Sequence, residues 1–180
     1  MADRFAAALP FRVGGGRIVP VGGKGGVTPA RIVLLGGLAV GVLDLLDAFV
    51  FFGLRGVPPL RILQSIASGL LGRAAFQGGL ATGLLGLALH FGIATTVAAV
   101  YYAASGRLRS LANRPWLYGP LYGLAVYLVM YHLVLPLSAA ANAPRPPAVV
   151  WNGILIHIAG VGIPSALAAR AARRLQEAAP

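Results

Sequence analysis

Cysteine is absent from the 180 residues, and acidic side chains number only four. The first absence excludes disulfides, thiolate metal ligation and thiol catalysis, and it leaves the redox compartment unreadable. The second leaves fifteen Lys and Arg almost unopposed, for a net charge of +11. Charged residues together reach only 11%, against roughly a quarter in an average soluble domain. Catalytic signatures are missing too. Ser65, Ser68, Ser105 and Ser138 stand in no nucleophile elbow, and no Gly-Lys-Ser/Thr phosphate loop occurs, so no catalytic residue is assigned.

Hydrophobic residues, by contrast, make up 58% of the chain. They are gathered into runs at about 32–54, 80–104, 116–137 and 149–169. Each run is long enough, at about 1.5 Å per helical residue, to cross a hydrocarbon core of about 30 Å. The expected fold is an all-α membrane protein: four transmembrane helices in a bundle, forming one domain over 31–174. Residues 1–30, with Gly14-Gly15-Gly16, Gly22-Gly23 and Gly25-Gly26, are expected to be a flexible cytoplasmic tail, and 175–180 a short cytoplasmic end. The tail holds no apolar stretch of the kind a cleavable signal peptide needs, so none is expected.

Between the first two runs, residues 60–77 have a different pattern. Arg61, Gln64, Ser65, Ser68 and Gly72 fall on one side of a helix, while Ile62, Leu63, Ile66, Leu70 and Leu71 populate the other, with Arg73 beyond. This segment is expected to be an amphipathic helix, either lying at the interface or re-entrant over the mouth of the bundle.

Positive charge sets the expected orientation. Eleven of the fifteen Lys and Arg lie up to Arg31, between Arg107 and Arg114, or at Arg170, Arg173 and Arg174; the other four are Arg55, Arg61, Arg73 and Arg145. Both termini are therefore expected in the cytoplasm. The basic ends are expected to meet the bilayer and its anionic lipid headgroups. A membrane-protein partner or a homo-oligomer remains open. No basic helix or RNP-like aromatic pattern points to nucleic acid.

Five ionisable residues interrupt the apolar runs: Asp44 and Asp47 in the first, His90 in the second, His132 in the third and His157 in the fourth. Such groups are expensive in hydrocarbon and are expected to face an interior, a partner or a cavity. With the orientation above, all five occupy one layer roughly 8 to 15 Å below the external edge, at 1.5 Å per residue. Gly37, Val40, Asp44, Asp47 and Phe51 share a stripe; Gly83, Gly86, His90 and Ala94 share another, as do Gly153, His157, Gly160 and Pro164. Small residues let membrane helices approach closely, which turns these stripes toward neighbouring helices. His132 shares a stripe with Ala125, Val129 and Pro136.

Several chemistries fit this set. Two carboxylates three residues apart can share a proton, and imidazoles can relay one, which allows proton or small-ligand handling. His90, His132 and His157 could ligate a transition metal, or two of them a haem, although no tight ligand motif is present and the sequence requires no cofactor. Alternatively, Asp–His hydrogen bonds could be interhelical glue in a structural or accessory membrane protein.

A histidine followed by tyrosine (His90, Tyr101), a basic connection, a histidine four residues before Pro136-Leu137 (His132), a proline-rich loop and a last span with His157 after Gly153 resemble the YagU-like bacterial inner-membrane proteins. The resemblance covers about Leu80 to Arg174. It implies a small multi-pass protein of the bacterial inner membrane, with His90, Tyr101, His132, Pro136 and His157 as the matched positions. The first span and the Ile62–Gln77 segment lie outside the match, so no activity is carried over.

Overall fold

A computed structural model describes residues 28–140 and 144–178, so the tail expectation up to residue 27 lies outside the described residues. Every regular element among the described residues is helical: α1 (Pro29–Gly53), α2 (Pro59–Leu71), a 3₁₀ segment (Gly72–Gln77), α3 (Gly79–Arg107), the short α4 (Arg109–Asn113), α5 (Pro115–Leu137) and α6 (Pro147–Glu177). Four of them, α1, α3, α5 and α6, are long and apolar enough to cross a membrane. The last helix runs beyond the expected 149–169. Its final turns replace the apolar run with Ala169, Ala172 and the arginines, a sequence that stays helical while its polar side chains reach water.

Helix boundaries follow local chemistry. Thr28 accepts a hydrogen bond from the Arg31 backbone N–H, and prolines open α1, α2, α5 and α6 where an amide hydrogen has no helical partner. Two internal prolines act on the turn before them. Pro136 and Pro164 cannot donate to the carbonyls of His132 and Gly160, and in both helices the preceding turn is π-helical, Met130–Val134 and His157–Gly162.

Helix α6 packs against α1, α3 and α5, while α3 lies between α1 and α2. The closest approaches are backbone on backbone. A side chain at Gly86 would run into the carbonyl of Leu63 in α2, one at Gly123 into the carbonyl of His157, and one at Gly162 into the backbone of Gly119 and Gly123. The outer faces carry Leu34, Leu35, Leu38, Leu46 and Val50 of α1, all at least half exposed, with Trp116 and Trp151 exposed at helix beginnings. Such a surface suits lipid far better than water.

The amphipathic segment is helical through Leu71, and its polar side is partly the packed side. Gln64 and Ser68 are buried, whereas Leu70 and Leu71 are exposed. A hydrogen bond holds Gln64 there: its side-chain amide donates to the carbonyl of Gly79 at 3.0 Å, in the first turn of α3. Ser65 and Ser68 return their hydroxyls to the carbonyls of Ile62 and Ser65, both at 2.6 Å. Arg61 lies over the Phe76 ring and Arg73 is exposed. The far end of α2 reaches the chain just beyond α5, where the Ala139 amide donates to the carbonyl of Gly69 at 2.9 Å.

Replacing Gly86 or Gly123 by alanine is expected to lower unfolding free energy in detergent by about 1–3 kcal/mol, the usual cost of overpacking. Gly92 has nothing within 4 Å of an added Cβ. Gly92→Ala is therefore expected to be neutral or stabilising by up to about 1 kcal/mol. Equal responses at all three positions would contradict the backbone contacts.

Candidate functional site

Asp44 and Asp47 are three residues apart on α1, which separates their directions by roughly 60° around the helix. That offset gives them different surroundings. Asp44 points toward α3 and α6, where its two carboxylate oxygens each lie 4.0 Å from an imidazole Nδ1, one of His90 and one of His157. Asp47 accepts a hydrogen bond from the Asn152 amide at 2.6 Å, tying α1 to the start of α6.

The histidines are held by backbone carbonyls. His90 Nε2 lies 2.8 Å from the carbonyl of Gly41, and a carbonyl only accepts, so Nε2 carries the hydrogen. Its Nδ1, facing Asp44, is then a bare acceptor whenever the ring is neutral. His157 Nδ1 donates to the carbonyl of Gly153 at 2.8 Å, one turn back on its own helix. That leaves Nε2 of neutral His157 as an acceptor. Tyr127 sets its ring edge to face against His157, with centroids 5.5 Å apart.

At 4.0 Å neither imidazole bonds directly to Asp44, and the carboxylate has no hydrogen bond among the described residues. It opens instead on a cavity of about 270 Å³ bordered by α1, α2, α3, α5 and α6. The polar contributors are Asp44, His90, His157, Ser65 and Tyr131; most of the wall is aliphatic, with Val40, Ile66, Ile93, Met130 and Val161 among its members. Val40, Ala94 and Val161 form a packed cluster at its side. α2 covers the cavity through Ile62, Ser65 and Ile66. In the connection before α6, the guanidinium of Arg145 sits 3.8 Å from the centroid of Tyr131, and its Nη1 is buried without a hydrogen-bond partner.

The structure thus brings three of the five ionisable residues together, Asp44, His90 and His157. Asp47 is engaged nearby with Asn152. His132 stands apart, exposed on the outer side of α5. The inward face of that helix is Gly119, Gly123 and Tyr127, and His132 comes five residues after Tyr127, roughly 140° away around a regular helix. Among the described residues no group of three or more histidines and carboxylates is placed to hold a metal ion. His132 is turned away, and the hydrogen bonds to Gly41 and Gly153 leave one bare ring nitrogen on each of the other two, Nδ1 of His90 and Nε2 of His157. Asn152, Tyr131 and Arg145 were not singled out from the sequence. An amide in an otherwise apolar run could have marked Asn152; nothing local marks Tyr131 or Arg145.

No family model matches the sequence, and no curated protein or solved structure matches it either.

The Asp47–Asn152 bond yields a direct test. A double-mutant cycle with Asp47→Ala and Asn152→Ala, measured by unfolding in detergent, is expected to give a coupling of about 1–2 kcal/mol, near the upper end for hydrogen bonds between membrane helices. A coupling indistinguishable from zero would show that the bond contributes nothing.

Proposed function

We propose that the protein is a four-span membrane protein that binds a small, mainly apolar cation at Asp44 in exchange for protons. One observation carries this reading. With neutral imidazoles, Asp44 and His90 Nδ1 face each other as acceptors across a gap of 4.0 Å, and nothing among the described residues donates between them. Two occupants resolve that arrangement. A proton on His90 gives an ion pair with Asp44, and a protonated amine gives the same carboxylate a donor and a positive charge. The two exclude each other, so uptake of the cation is linked to release of the proton.

The remaining features support the same reading. A cavity of about 270 Å³ with aliphatic walls suits the apolar body of a small ligand, and Asp44 meets both His90 and His157 at 4.0 Å on its lining. α2 covers it, packed as an interfacial or re-entrant helix over the external half of the bundle. The cytoplasmic placement of both termini rests on the distribution of Lys and Arg, and that in a bacterial inner membrane on the resemblance to the YagU-like proteins. Kinship with the YagU-like proteins rests on residue spacing alone.

A second reading is favoured for one residue. Asp47, bonded to Asn152 at 2.6 Å, acts as interhelical glue.

Thermal unfolding in detergent provides the test, with butylammonium and benzylammonium as probes and benzoate as the opposite charge. The ammonium probes are expected to raise the unfolding midpoint of the native protein, less so as the pH is lowered. Asp44→Asn is expected to abolish the shift and Asp47→Asn to retain it; benzoate is expected to give none. An undiminished shift in Asp44→Asn, or no shift with either ammonium ion, would overturn the proposal.

A further inference from the structure

The opposite end of the helices has a different chemistry. Where α3 ends, α4 crosses and α6 runs out, a pocket of about 260 Å³ is lined by Arg109, Arg170, Arg173 and Arg174, with Glu177 as its one carboxylate. Some of this charge suits the carbonyl ends of α3 and α6. The four arginines nevertheless do different things.

Arg173 is structural. It donates to the carbonyl of Tyr102 at 2.7 Å, to Ser105 Oγ at 3.2 Å and to Gln176 Oε1 at 3.0 Å, and its guanidinium lies over the Tyr102 ring. The three helices around it are tied together, because buried Tyr101 of α3 donates to the carbonyl of Leu111 in α4 and packs with Ala166 and Ala169 of α6. Arg109, Arg170 and Arg174 have no side-chain hydrogen bond or ion pair among the described residues. Three guanidinium forks therefore surround a concave space, each able to give two parallel N–H donors to an oxyanion.

Two of these arginines also border a second feature. Arg170 and Arg174 lie on the edge of a shallow groove between α1 and α6, floored by Ile32, Leu167, Ala171 and Leu175. Leu167 and Leu175 are both more than a third exposed. From Pro147 to Arg170 the helix advances roughly 35 Å, about the thickness of a bilayer core, so Arg170 stands where hydrocarbon gives way to headgroups. A basic pocket continuous with an apolar groove at that depth matches one kind of molecule.

We infer that the pocket of Arg109, Arg170 and Arg174 binds the phosphate of an anionic phospholipid whose acyl chain lies in the groove of Ile32, Leu167 and Ala171. The phosphate oxygens take the three free guanidinium groups, and Arg173 holds the pocket open. Apolar side chains at membrane depth distinguish a lipid from free phosphate, which would use the pocket alone. The site is separate from the Asp44 cavity and does not depend on its function.

Native mass spectrometry of the detergent-purified protein tests this with phosphatidylglycerol, phosphatidylcholine and inorganic phosphate. Phosphatidylglycerol is expected to bind at least tenfold more tightly than phosphatidylcholine. Arg109→Gln/Arg174→Gln is expected to remove that preference while leaving the unfolding midpoint near that of the native protein. Ala171→Trp, which fills the groove and spares the arginines, is expected to weaken phosphatidylglycerol at least fivefold without changing phosphate binding. Equal binding of the two lipids, or retained preference in the double arginine variant, would overturn the site. Phosphate binding as tight as phosphatidylglycerol with no effect of Ala171→Trp would overturn the lipid assignment.

Discussion

Backbone contact at glycine is the constraint on which the other features depend. Between helices surrounded by lipid there is little hydrophobic drive to associate, so close approach and a few polar bonds must hold them. Gly123 brings α5 onto the carbonyl of His157, and Gly86 brings α3 onto the carbonyl of Leu63. The first contact fixes the turn from which His157 projects. The second lays α2 across the cavity. Gly41 adds a third element, since its lack of a side chain admits the Phe91 ring while its carbonyl receives the neighbouring His90. The cavity beside Asp44, His90 and His157 lies among the helices so packed.

Within that frame, the helical offset of three residues separates two chemically identical side chains. Asp47 finds an amide and becomes a fixed bond between α1 and α6, with its acceptor capacity partly used. Asp44 finds two imidazoles whose ring hydrogens are directed to backbone carbonyls elsewhere, and its own oxygens remain open to the cavity. The carbonyls of Gly41 and Gly153 therefore set the chemistry of the site as much as the ionisable groups do. At the other end, Arg173 has the corresponding role: by bonding to Tyr102, Ser105 and Gln176 it keeps a space among the remaining arginines.

How far the sequence disclosed this differs from residue to residue. The four long helices were legible because apolar runs of that length have few alternatives. The inward direction of His90 and His157 was legible because glycine and alanine share their stripes. His132 was not: its companions Ala125, Val129 and Pro136 are all exposed, and the packed face of α5 is marked by Gly119 and Gly123 instead. The partner of Asp47 lies 105 residues away, a relation no local pattern encodes. The burial of Gln64 also went against its amphipathic pattern, because its side-chain amide finds a partner in the carbonyl of Gly79 on α3 and does not face water.

The central claim is that His90 turns a bare Nδ1 toward Asp44 while Nε2–H is held by Gly41. Nitrogen NMR of histidine-labelled protein in lipid, with both rings neutral, reads this directly. The account predicts that neutral His90 is the Nε2–H tautomer and neutral His157 the Nδ1–H tautomer. Opposite tautomers would contradict it.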